Sequence, residues 1–252
     1  MIAPRLSALV CARNEEKRLV PCLDRLAFAD EIVVVLDRCT DATPDIARRY
    51  TSVLVAGAWD LEGPRRNAGI QACSGDWILE VDADEWVTEA LAVEIRRTIA
   101  TTPWDWHEIP VDNYIGKRLV RWGWGASFGK AAYPGLFRKG VKVWGNQRLH
   151  PSLQWTGRKG PMLQSRIEHY VDRDVSDMIR RLDAYSTARA LDLRDSGRIG
   201  SLGRNLIRFW SRFFKCFVLR KGYREGAMGF LIALLAGLYP LLSHLKARIG
   251  ER

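Results

Sequence analysis

Three apolar runs, each closed by a polar turn and followed by a helical pattern, limit the first hundred residues to one kind of architecture. They are Leu6-Ser7-Ala8-Leu9-Val10-Cys11, Glu31-Ile32-Val33-Val34-Val35-Leu36-Asp37 and Trp77-Ile78-Leu79-Glu80-Val81-Asp82. The second is rich in β-branched residues and almost continuously apolar, as strands covered on both faces are. Helical patterns follow through Leu19, Leu23 and Leu26, through Ile46 and Tyr50, and from Gly63 to Cys73, with a short extra strand at Ser52–Ala56. Strands alternating with helices predict an α/β fold, a mostly parallel sheet with helices on both faces.

In such a sheet the carboxyl ends of the strands share one edge, where ligands bind. Polar groups collect there: Ala12-Arg13-Asn14-Glu15 after the first strand, Asp37 and Asp41 after the second, Asp82, Asp84 and Glu85 after the fourth. Carboxylates packed that closely repel unless a cation sits among them. Mg²⁺ or Mn²⁺ held among Asp82, Asp84 and Glu85 would bridge to a substrate diphosphate. The plainer alternative is a solvated acidic turn before a helix capped by Thr88. The chain lacks Gly-x-Gly-x-x-Gly after the first strand and any P-loop pattern, so phosphate charge must be met by metal and by side chains such as Arg65 and Arg66.

The net charge of +10 is uneven: residues 173–252 hold 16 Lys/Arg against 7 Asp/Glu, a net of +9, which leaves +1 for residues 1–172. That asymmetry divides the chain into an ordinary globular domain, 1–172, and a basic region, 173–252. The five cysteines are scattered, without a Cys-x-x-Cys pair, and read as free thiols rather than disulfides or a zinc site. The N-terminus leads directly into a strand and reads as lacking a signal peptide.

Residues 6–90 resemble the nucleotide-sugar-binding half of inverting family 2 glycosyltransferases with the GT-A fold. The resemblance rests on Ala12-Arg13-Asn14-Glu15-Glu16, Asp37-Arg38-Cys39-Thr40-Asp41-Ala42-Thr43, Gly63-Pro64-Arg65-Arg66-Asn67-Ala68-Gly69 and Asp82-Ala83-Asp84. It implies that Asp37 contacts the nucleotide base, that Arg66 with its neighbour Arg65 lies near the diphosphate, and that Asp84 holds the metal. More loosely, Tyr133 to Gly140, His150, Ile167-Glu168-His169-Tyr170 and Lys221 to Gly226 are similar to lipopolysaccharide inner-core β-glucosyltransferases. That subgroup usually carries a His-Glu pair near His150, its glutamate being the expected base; this chain has His150-Pro151. The candidate bases are therefore His150, Glu168, Asp112 and Glu108. Trp122 and Trp124, in the glycine-flanked run Arg121 to Gly125, are the candidate acceptor wall; His169 reads first as structural.

In the basic region, Arg173–Asp195 reads as a helix, Gly197–Gly203 as a break, and Arg204–Phe217 as a basic amphipathic helix. Arg204, Arg208, Arg212 and Lys215 fall on one side, with Trp210, Phe213 and other bulky residues opposite, the pattern of an interfacial membrane anchor. Such aromatics ill suit a phosphate-contacting face, so nucleic acid is not expected. Ala227–Leu242 is uncharged but short of a simple span. It reads first as a re-entrant or in-plane hairpin, with a tilted span or a buried core or dimer helix as alternatives. The expected activity is metal-dependent transfer of a hexose, glucose from UDP-glucose, onto a lipid-linked saccharide at the cytoplasmic face of an inner membrane, with the protein peripheral or monotopic and a homo-oligomer left open. A polyprenyl-phosphate sugar synthase and a non-catalytic membrane-bound scaffold are the rivals.

Overall fold

The computed structural model describes residues 3–125, 129–147 and 151–250. The elements in chain order are β1 (Leu6–Ala12), α1 (Leu19–Asp24), β2 (Glu31–Asp37), α2 (Thr43–Arg48), β3 (Val53–Gly57), α3 (Glu62–Ala72), β4 (Trp77–Asp82), β5 (Glu85–Trp86), α4 (Glu89–Thr101), β6 (Trp106–Ile115), β7 (Arg118–Val120), β8 (Ala132–Arg138), β9 (Lys142–Trp144), β10 (Leu153–Trp155), β11 (Ile167–Asp172), α5 (Val175–Asp195), α6 (Leu202–Phe214) and α7 (Ala227–Ile249). A π-helical turn, Lys215–Leu219, continues α6. The chain forms two compact units, Met1–Val111 with Ala132–His169, and Asp112–Ala131 with Tyr170–Arg252. The first unit thus ends before residue 172, and 112–131 go with the C-terminal unit, because β6 and β11 each begin in one and end in the other.

In the first unit the sheet runs β3-β2-β1-β4-β8-β6. β3, β2, β1 and β4 are parallel, whereas β8 is antiparallel to β4 and to β6. The sheet is accordingly mixed. Alternate residues of β1 face opposite ways. Leu6, Ala8 and Val10 pack with Leu19, Leu23, Leu91 and Ile95 of α1 and α4. Leu9 and Cys11 pack with Ile70 beyond the other face, where α3 lies. Gly69 permits that approach, since a Cβ there would meet Leu9 at 2.5 Å and Val35 at 2.6 Å. Thr88 caps α4, its side chain accepting from the Leu91 N–H. Beyond it, β11 pairs antiparallel with β5, Glu168 opposite Trp86 and His169 opposite Glu85.

The second unit corrects three readings. Residues 227–249 are one helix of 23 residues, not a hairpin. Its glycines are close-packing points rather than breaks: a Cβ on Gly229 would meet the Gly222 carbonyl at 1.8 Å, and one on Gly237 would meet Phe209 at 3.0 Å. Pro240 is accommodated inside the helix. By length and composition alone α7 is long and apolar enough to cross a membrane, but 56% of that window is buried. Ile232, Ala233 and Ala236 share a core with Met178 and Leu182 of α5 and with Trp124. Trp124 is therefore not an exposed wall; it is 6% exposed, and its indole N–H donates to the Val120 carbonyl at 2.6 Å. Finally, Arg212 and Phe213 turn inward from the face expected to meet a membrane. The Arg212 guanidinium lies over the Tyr239 ring at 5.2 Å, and burial pulls its pKa down. Phe213 stacks on Phe217 and meets Phe230 edge-on.

Candidate active site

The carboxyl ends of β1, β2 and β4 bring together most of the residues expected at a ligand site. Cys11 is opposite Asp82 in the β1–β4 pairing. Directly after β1 and β2 the backbone turns left-handed at Asn14 (φ 57°) and Arg38 (φ 50°), a conformation rare outside glycine and concentrated at functional sites. Side chains lace these turns together. The Asn14 Oδ1 accepts from the Thr40 N–H at 2.8 Å, the Glu15 N–H donates to Thr43 Oγ1 at 2.7 Å, and the Cys39 thiol faces the Ala12 carbonyl at 3.6 Å. Arg13 is exposed beside them.

Asp37 is buried at the end of β2. Its carboxylate accepts from the Trp59 N–H and from Arg38 Nε, both at 3.1 Å, and faces Arg65 Nη1 at 3.4 Å. Arg65 Nε is buried and has no hydrogen-bond partner among the described residues, a donor beside the base-contact candidate.

Behind the acidic cluster lies a buried charge network that sequence reading did not anticipate. Glu80 sits mid-strand in β4, 2% exposed, and receives Arg66 Nη1 at 2.7 Å and Lys142 Nζ at 2.6 Å. The Trp144 indole donates to it at 3.3 Å. Burial works to raise the Glu80 carboxyl, but the Lys142 and Arg66 charges prevail and hold it below the usual range. Arg66 also grips Glu62 at 2.7 Å and Asp82 at 2.8 Å. Its nitrogens are thus committed to carboxylates, and it fixes Asp82 from behind rather than lying open to a diphosphate. The signal was legible: a carboxylate inside an apolar strand requires a buried cation.

In front of the network, the Asp84 carboxylate lies 3.6 Å from Arg18 Nη1 and 3.6 Å from His169 Nε2. His169, which reads first as structural, thus stands beside the candidate site. Glu85 accepts from the Asp82 N–H at 3.0 Å. Among the described residues no three metal-ligating side chains gather as a cage. The donors that do converge, Asp84 with His169, fit a cation that takes one or two protein ligands and completes its shell with substrate phosphate and water.

Glu15 faces this cluster. Burial first, then the charges of Asp84, Asp82 and Asp41, push its carboxyl up to about 7 against the pull of Arg18. A carboxyl raised on folding contributes stability that is complete below about pH 4.5 and is lost as pH rises through about 7. Glu15→Gln in chelator-treated protein is therefore expected to match the wild type near pH 4.5 and to exceed it above pH 7, by on the order of 1–3 kcal/mol. Urea melts at both pH values check this; equal stability at pH 8 would contradict the raised pKa.

The four candidate bases separate. His150 lies outside the described residues. Glu108 pairs with Lys159 at 2.9 Å. Asp112 belongs to the second unit, where Arg121 faces it at 3.4 Å. Glu168, opposite Trp86, is the one that strand register brings beside the acidic turn. Of the acceptor pair only Trp122 is exposed, with the Lys221 and Arg224 cations over its ring at 5.4 and 5.1 Å.

Residues 7–103 match the profile of Glycosyl transferase family 2. Over almost its whole length the chain is similar to the lipopolysaccharide core biosynthesis glycosyltransferase LpsC of Rhizobium meliloti, at 23% identity with 98% of this chain and 92% of that protein covered. It is likewise similar to an uncharacterized glycosyltransferase of Rickettsia conorii, at 23% identity over 98% and 91%. Among solved structures, S. aureus TarS 1–349 in complex with UDP-GlcNAc superposes with a TM-score of 0.51 at 15% identity, over 96% of this chain and 88% of that one.

Proposed function

A chain whose residues 7–103 are a family 2 glycosyltransferase domain on a GT-A fold is a glycosyltransferase, and from that premise we propose a metal-dependent inverting hexosyltransferase that moves glucose from UDP-glucose onto a lipid-linked saccharide, such as a lipopolysaccharide core, at the cytoplasmic face of the inner membrane. The observation that carries this reading is the convergence of Asp37, Asp82, Asp84 and His169 on one sheet edge. The name of the Rhizobium relative supports the acceptor class.

Inverting transfer is a single displacement. The acceptor oxygen bonds to the anomeric carbon, the bond from that carbon to UDP breaks, and the acceptor proton passes to a base. Asp37 and Arg65 bind the nucleotide. Asp84 and His169 would hold Mg²⁺ or Mn²⁺, with Asp82 kept in place by Arg66. The cation supplies charge neutralisation for the leaving diphosphate. Glu168 takes the acceptor proton.

Purified protein given a panel of radiolabelled nucleotide hexoses with lipid-extract acceptors and Mn²⁺ tests this directly. Label is expected in the lipid fraction from UDP-glucose and not with chelator present. A panel with no donor consumed, or turnover indifferent to chelator, would overturn the reading. Asp37→Asn keeps an acceptor for the Trp59 N–H but removes the charge. It is expected to weaken UDP binding roughly 10- to 100-fold with kcat within a few-fold, since base recognition is the same in ground and transition states. Calorimetry with UDP beside steady-state rates separates the two effects.

A further inference from the structure

The second unit carries a face that packing within the chain leaves uncovered. Along α6 and the π-helical turn, Leu206, Ile207, Trp210, Phe214 and Val218 are all exposed, Ile207 at 72% and Trp210 at 64%. At about 100° per residue the four within α6 span roughly 100° of the helix. Exposed Arg204 and Arg208, with Lys215 about two turns on, follow along one border of that stripe. Residues 202–220 contain no Asp or Glu. The inward side is sealed: Asn205 and Cys216 are buried, and Phe209 abuts Gly237 of α7.

Isolated exposed apolar residues are ordinary, but a continuous stripe of large ones marks a surface that is covered by something. Charge decides what. A second copy packed through the same face would bring two basic borders together, with no acidic residue on the helix to pair them, and such like-charge contacts are costly. An anionic bilayer satisfies both halves of the face at once. We propose that α6 with its π-helical continuation is an in-plane membrane-docking surface, Leu206, Ile207, Trp210, Phe214 and Val218 entering the acyl boundary while Arg204, Arg208 and Lys215 meet lipid phosphates. The membrane role falls to α6 and not to the more apolar α7, which spends its apolar residues on the core of its own unit. This inference goes beyond the transfer reaction and does not depend on it.

Flotation of the full chain with phosphatidylcholine vesicles, with and without phosphatidylglycerol, is the test. The wild type is expected to float with the anionic vesicles. Trp210→Glu/Phe214→Glu, and separately Ile207→Glu, should lose binding, the double variant by roughly 100-fold or more. Arg204→Gln/Arg208→Gln/Lys215→Gln should fall roughly 100-fold on anionic vesicles and change little on neutral ones. Val93→Glu, at an equally exposed apolar position of the first unit, should float as the wild type does, and circular dichroism confirms that each variant is folded. The proposal is overturned if the wild type stays unbound, if the glutamate variants float unchanged, or if the lipid-free wild type is a dimer that those variants dissociate. UDP-sugar hydrolysis in water, measured on the same variants, keeps a failure of docking distinct from a failure of the transferase reading.

Discussion

Asp84→Ala is expected to lower the rate of hexose transfer by about 10³-fold, the scale of losing the main charge stabilisation of a leaving group, while leaving the fold intact. The carboxylate is partly exposed, with Arg18 and His169 each 3.6 Å from it, so little packing is lost. Removing it also relieves one of the charges that raise Glu15, which offsets part of any cost. Transfer rates with and without Mn²⁺, beside thermal melts, check both halves. Wild-type turnover in the variant would dismiss Asp84 as a ligand; collapse of the fold would mean that the acidic turn is structural.

The second large effect is on stability. Arg66→Met leaves Glu80 with one cation where it had two, and leaves Asp82 and Glu62 without their guanidinium. Breaking a buried ionic group by removing one partner costs about 3–5 kcal/mol, because the remaining charge stays buried and under-compensated. A urea midpoint lowered to match is expected, with activity falling at permissive temperature as Asp82 loses its anchor. A loss below about 1 kcal/mol would mean that Lys142 alone satisfies Glu80.

The parallel strands were legible because burial on both faces writes itself as continuous apolar runs: Glu31–Asp37 is β2 residue for residue, and Thr88 caps α4 as its position predicts. Asp37, Asp82 and Asp84 were legible because strand ends share an edge. His169 was not, since antiparallel register between β11 and β5 leaves no mark in one sequence. Trp122 and Trp124 flank Gly123 in one short run, and only tertiary packing sends one to the surface and the other into the core. Ala227–Leu242 read first as a hairpin because composition cannot distinguish a break at Gly229, Gly237 or Pro240 from a close approach.

The second unit is assembled from two stretches of chain, 112–131 and 170–252. During synthesis Ile115, Val120 and Trp124 leave the ribosome long before Met178, Ile232 and Ala236, the partners that enclose them. The first unit closes on itself once residue 169 has emerged, with the earlier segment held out as an unfinished excursion. That segment lacks the residues that enclose it until α5 and then α7 emerge, so these apolar side chains wait exposed while the C-terminal stretch is made, when aggregation is the main hazard. A fragment ending before α6 would be frozen at that stage, and holdase chaperones are expected to retain it.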